Sequence, residues 1–164
     1  MTQRSAQSRG GQAPSSSQYQ SPTEAEIRQI IVDGDVDLLV KIADRVGSEL
    51  AQQRLTTNQI RNVFGTARQI QMRWSSDEQK AYREAVLLRP KLAYFAEREK
   101  RAKGGASPGM EILQQVLEPA IKLLSDNGKP SQKRYGHFVD LFEAIVAYHK
   151  RYEGQLMSAR RSRS

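Results

Sequence analysis

Residues 55–73, LTTNQIRNVFGTARQIQMR, decide how this chain is built. Thr56 followed three residues later by Gln59 is a capping box, with Leu55 and Ile60 placed as a hydrophobic staple across the first turn. A helix begins here. Ile60, Val63, Phe64, Ala67, Ile70 and Trp74 recur at three- and four-residue steps, so they form one stripe that has to be buried. Arg54, Arg61, Gly65, Arg68 and Met72 form a second row, more than a quarter turn away. Residues 54–73 hold four arginines and no Asp or Glu, so no carboxylate one turn along the helix neutralises them. Neutralisation has to come from elsewhere. Gly65 costs about 1 kcal/mol of helix propensity relative to Ala and leaves room for a close approach. The plainer alternative is a solvated amphipathic helix in which this glycine has no role.

Upstream, Ser21, Pro22 and Glu24 are placed as N-cap, N1 and N3 of a short helix running to Val32, which Asp33, Gly34 and Asp35 end. Val36, Leu39, Val40, Ala43, Val46 and Leu50 then trace an apolar helical stripe to about Gln53. Downstream, Ser76 and Gln79 repeat the capping-box pattern and open a helix through about Leu88, which Pro90 stops while starting another. In that next helix Leu88, Leu92, Phe95 and Ala96 make the core stripe, and Lys91, Tyr94, Arg98 and Arg101 a separate basic and aromatic row. Residues 100–105 read as a basic, glycine-containing loop, and Ser107 with Pro108 as the next helix opening. Its stripe is Leu113, Val116, Leu117, Ala120, Ile121 and Leu124, with Pro119 kinking or dividing it. Residues 126–130, DNGKP, form a turn. The last helix spans about Ser131 to Glu153 with Gly154 as its closing residue, and the apolar face runs from Tyr135 to Tyr152.

No strand alternation is visible. The expected fold is all-α, a single-domain bundle of about six helices over residues 21–154. Residues 1–20, rich in Ser, Gln and Gly, are expected to be a disordered arm, and residues 155–164, ending in ARRSRS, a disordered basic tail.

At 164 residues the chain has the length of one domain, and 38% apolar residues suffice for one core. The N-terminus lacks an apolar signal segment and nothing is long enough to span a bilayer, so a cytoplasmic protein is expected. Zero cysteines exclude a disulfide scaffold, a zinc ribbon and a thiol nucleophile. The net charge of +8 is unevenly placed: residues 54–103 hold twelve basic and five acidic residues, whereas residues 21–53 hold three and seven. So concentrated a block of charge points to a polyanionic partner.

Catalytic chemistry is poorly provided for. His137 and His149, the only two histidines, lie on one expected helix, roughly 18 Å apart along its axis, and cannot flank one scissile bond. His149 belongs to the apolar stripe and reads as a packed side chain. His137, with Lys133 and Arg134, reads equally as a polar contact surface or a solvated face. Carboxylates are scattered and paired with nearby bases, as Glu97 with Arg101; Asp140 and Glu143 are too sparse a pair for a metal. No phosphate loop, nucleophile elbow or zinc spacing occurs. Neither enzyme activity nor a cofactor is expected.

Three stretches, LTTNQIRNVF at 55–64, LLRPKLAYFAER at 87–98 and FVDLFEAIVAYHK at 138–150, resemble the small subunit of the type III-A CRISPR effector, the Csm complex. The resemblance spans about residues 54–154. It implies a non-catalytic helical protein present in several copies, stacked head to tail beside the subunits that hold the guide RNA, and lining the path of the target RNA. Guide RNA, target RNA, other effector subunits and further copies of the chain would be its partners. Arg61, Arg89, Lys91 and Lys150 fall inside the matched motifs; Arg54, Arg68, Arg98, Lys133 and Arg134 are added from the charge pattern as RNA-binding residues. The rival readings are a DNA-binding regulator, with residues 36–53 and 56–73 as helix-turn-helix, and a structural adaptor whose basic face meets an acidic protein.

Overall fold

A computed structural model describes residues 18–102 and 108–163. The calls on residues 1–17, on residues 103–107 and on Ser164 lie outside the described residues. The chain is all-α, the described residues forming seven helices in order: α1 (Glu24–Ile31), α2 (Val36–Gln52), α3 (Thr57–Arg73), α4 (Glu78–Val86), α5 (Leu88–Ala102), α6 (Gly109–Ile121) and α7 (Gln132–Arg161). A two-stranded hairpin, β1 (Ser125–Asp126) and β2 (Lys129–Pro130), separates α6 from α7. Asn127 and Gly128 at its tip take φ of 50° and 77°, the left-handed pair that a two-residue hairpin needs.

α7 is the central mast. α1, α2, α3 and α6 all pack on it, and α5 lies mainly along α6. α2 approaches α7 closely at Gly47, where an added Cβ would lie 2.6 Å from Tyr148 Cβ and 2.8 Å from the His149 nitrogen. Only glycine fits there. Tyr152 donates a hydrogen bond to Asp44 Oδ1 across the same seam, and that bond holds the phenol's pKa above its usual range. On the other side of α7, Phe64 packs against Phe142 at 5.3 Å between ring centroids, and Trp74 stacks on Tyr135 at 4.7 Å. The Tyr135 hydroxyl donates to Ala67 O at 2.7 Å, and burial pushes its pKa up. The α3 stripe is therefore the core face expected of it, with Phe64 half-buried and the rest buried.

The helix starts show what local chemistry decides. Thr56 accepts from the Gln59 nitrogen at 3.2 Å while Gln59 Oε1 accepts from the Thr56 nitrogen at 2.9 Å, the full capping box. α7 starts close to the expected Ser131, which caps it by accepting from the Arg134 nitrogen at 3.2 Å. α1 begins later than expected: Thr23, not Ser21, is its N-cap, and with Glu26 it forms a second capping box. The Thr23 amide hydrogen bond holds the Glu26 carboxyl below its ordinary pKa. Ser76 likewise yields to Asp77, which caps α4 through the Lys80 nitrogen at 3.1 Å, while Ser76 Oγ donates to Arg73 O. α5 starts at Leu88, so Pro90 sits within its first turn, where a missing amide proton costs no helical hydrogen bond.

Other expectations are corrected. Val36 and Val40, assigned to the α2 stripe, are 63% and 44% exposed; the buried set is Leu39, Ile42, Ala43, Val46, Gly47, Leu50 and Ala51. Gly154, expected to close the last helix, lies inside α7, which runs on through Arg161 with its final turns exposed. Pro119, expected to kink or divide this helix, does not divide it, since α6 runs two residues past it to Ile121. No helix among the described residues is long and apolar enough to cross a membrane.

Candidate nucleic-acid interface

Eight of the nine basic residues singled out fall into three groups. Arg61 and Arg68 lie three residues before and four after Phe64, beside it on the exposed side of α3, and Phe64 itself packs on Phe142 of α7. Both are exposed. Arg61 has no ion pair or hydrogen-bond partner among the described residues, and Arg68 donates only to the neutral Gln71 Oε1 at 3.0 Å. Lys150 on α7 is three residues before Glu153, whose carboxylate accepts from Thr57 Oγ1 of α3 at 2.8 Å, so Lys150 lies along the same seam. Arg54, just before α3, is exposed and takes φ of 61°, its amide donating to Ala51 O at 3.0 Å.

A second group stands on α5. Lys91, Tyr94 and Arg98 are exposed on one row, and Arg101 on the same row pairs with Glu97 at 3.4 Å. Between this row and α3 opens a cleft of about 360 Å³ that reaches Met110 of α6. Lys133, exposed in the first turn of α7, stands apart from both groups.

The third group is tied inward. Arg89 Nη2 pairs with Glu118 Oε1 of α6 at 3.2 Å. Arg134, its side chain 16% exposed, donates to Leu123 O at 3.2 Å and Ser125 O at 2.6 Å and approaches Asp126 Oδ1 at 3.5 Å. It clamps the hairpin to the foot of α7. Arg73, the fourth arginine of the opening stretch, meets Glu84 of α4 at 2.7 Å.

Hydrolytic chemistry finds no foothold in the histidines. His149 is fully buried, and its Nε2 lies 2.6 Å from Leu55 O, to which it donates. His137 Nδ1 meets Ile31 O at 2.8 Å, fastening α7 to the end of α1, rather than forming a solvated face. No group of three or more His, Cys, Asp or Glu among the described residues is arranged to hold a metal.

Sequence reasoning passed over Gln59, Asn62 and Glu99, which line the cleft. Glu99 is buried, and its Oε1 accepts from the Met110 nitrogen at 3.4 Å, serving the start of α6 where Pro108 provides no side-chain cap. A buried carboxylate eleven residues from its partner leaves no periodic trace.

α2 and α3 are joined by residues 53–56, yet each packs on α7 rather than against the other. No curated protein and no solved structure matches the chain. The family model Csm2 Type III-A matches residues 33–155, from the turn before α2 to the later part of α7. All three motif stretches and both exposed basic groups lie within that span, and the chain accordingly belongs to the Csm2 Type III-A family, the small subunits, in general non-catalytic, of the type III-A CRISPR effector complex, with the other effector subunits as partners.

Proposed function

We propose that the protein binds RNA within the type III-A complex, its exposed cations holding phosphates while guide pairing reads sequence. Arg61, Arg68 and Lys150 form one line of contact along the α3–α7 seam, Lys91 and Arg98 a second along α5, with Arg54 and Lys133 at the ends. Arg89 and Arg134 act in this reading through the fold, since their guanidinium groups already have internal partners. Several copies stack along the guide and target strands, and the cutting chemistry belongs to other subunits. The setting is the cytoplasm.

The observation that carries this reading is the exposed Arg61 and Arg68 on a helix without acids, with no carboxylate partner among the described residues. Leaving like charges together costs stability unless a polyanion relieves them. One copy should bind single-stranded RNA weakly, on the order of 10⁻⁴ to 10⁻⁶ M at physiological salt by analogy with nonspecific duplex binding. Arrayed copies raise this through effective concentration. In a direct binding titration Arg61→Ala weakens RNA of every sequence about equally; unchanged binding removes Arg61 from the interface.

The regulator reading is disfavoured by the packing, because a helix-turn-helix unit sets its two helices against each other. Selection from random duplex DNA returns no preferred sequence in the RNA reading and a preferred one in the regulator reading. Pull-down at moderate salt separates RNA binding from an adaptor that meets an acidic protein.

A further inference from the structure

We propose that the cleft between α3, α5 and α6 receives one unstacked base of the RNA strand that the basic rows hold; the inference rests on the RNA-binding reading above. Single-stranded RNA is recognised by turning bases out, stacking them on aromatic side chains and hydrogen-bonding their edges. The cleft offers both in about 360 Å³, at the small end of the range for ligand pockets.

Phe95 provides an aromatic surface and Val63 and Met110 the apolar walls, the thioether being well suited to contact with a ring. Asn62 is exposed and its carboxamide has no hydrogen bond among the described residues, so it presents one acceptor and two donor hydrogens to a base edge. Gln59 is held in place by the capping box through its Oε1, which leaves its amide protons for the cleft. These two carboxamides come from successive turns of α3, so their spacing is set by a helix and not by a loop.

Charge decides which part of a nucleotide enters. Glu99, buried among the lining residues with its Oε1 on the Met110 nitrogen, opposes a phosphate inside. Arg98 lines the same cleft and is exposed, on the row with Lys91 and Tyr94. The phosphate therefore stays at the rim on Arg98 and the uncharged base goes in. A cationic side chain from a partner subunit would meet Arg98 on entry.

The test uses the full-length protein and a short single-stranded RNA containing 4-thiouridine, at low salt. Irradiation is expected to cross-link the strand at Phe95 or Met110, read by mass spectrometry. Asn62→Ala, an exposed change that leaves the core intact, is expected to weaken binding about fivefold with the slope of log K against log salt unchanged, whereas Arg98→Ala lowers that slope. Phe95→Leu is expected to weaken binding about fivefold or more, the scale of one lost base–aromatic stack. Should the wild type bind RNA with the expected salt dependence while Asn62→Ala and Phe95→Leu bind as tightly and cross-links fall elsewhere, the cleft inference is overturned and the phosphate reading stands. Absence of RNA binding by the wild type overturns both. Asn62→Ala that binds RNA normally but no longer joins the other effector subunits assigns the cleft to a protein contact and also overturns the inference.

Discussion

Gly47 and Gly65 occupy the interiors of two helices of 17 residues each, and their surroundings are opposite. At Gly47 a Cβ would be forced into α7, 2.6 Å from Tyr148 Cβ; at Gly65 nothing lies within 4 Å. The propensity lost at Gly47 is offset by close packing inside the chain. At Gly65 no such contact exists among the described residues, and the position lies in the row of Arg61 and Arg68. The arginines divide in the same way. Arg89 and Arg134 have carboxylates brought to them by α6 and the hairpin, whereas Arg61 and Arg68 have none. Residue type alone thus does not mark a candidate interface; in the proposed reading the mark is a cost that the fold leaves unrelieved.

The sharpest way to break this contrast is at Gly47. Gly47→Ala has to move backbone as well as side chain, and is expected to lower the unfolding free energy by about 3 kcal/mol, measured by urea denaturation. A neutral result would mean that α2 and α7 do not approach so closely. Next is Arg134→Ala, which strips donors from two carbonyls at the hairpin and is expected to cost about 2 kcal/mol. Binding of RNA by the folded fraction should change little. Smallest in stability is Gly65→Ala, expected to raise it by about 0.5–1 kcal/mol, since the methyl group meets nothing and the helix gains propensity. RNA binding is expected to weaken in this same variant as the added Cβ holds the strand off. Stability and affinity moving in opposite directions would separate Gly65 from Gly47, where both fall together; equal affinity would make Gly65 an ordinary surface glycine.

Much of this contrast was legible in residue order, because capping and stripes are local. Thr56 with Gln59 and the α3 core face both follow from spacing. Ser21 with Glu24 and Ser76 with Gln79 carry the same local signature as Thr23 with Glu26, so spacing alone does not separate competing caps one or two residues apart; the helices start where Thr23 and Asp77 make the bonds. Val36 and Val40 satisfy helical spacing but belong to a flank of α2 that no neighbour covers. Gly154 carried the composition of a stop signal without the left-handed turn that makes one, and α7 passes through it. The candidate interface was legible as charge and illegible as geometry. Arg89 and Glu118 are 29 residues apart, and His149 meets a carbonyl 94 residues away. No local pattern announces such partners, so the inward-facing bases looked the same as the outward-facing ones. The cleft was missed for the same reason: its lining comes from three helices whose meeting depends on the whole bundle.

The claim on which the account depends is that the α3 arginines face an RNA backbone. Titration of single-stranded RNA against wild type and the Arg61→Ala/Arg68→Ala double variant over a range of salt tests it most directly. The slope of log K against log salt is expected to become shallower by about 1.4, roughly 0.7 for each lost phosphate contact with a single strand. Equal slopes and equal affinities for the two proteins would contradict it.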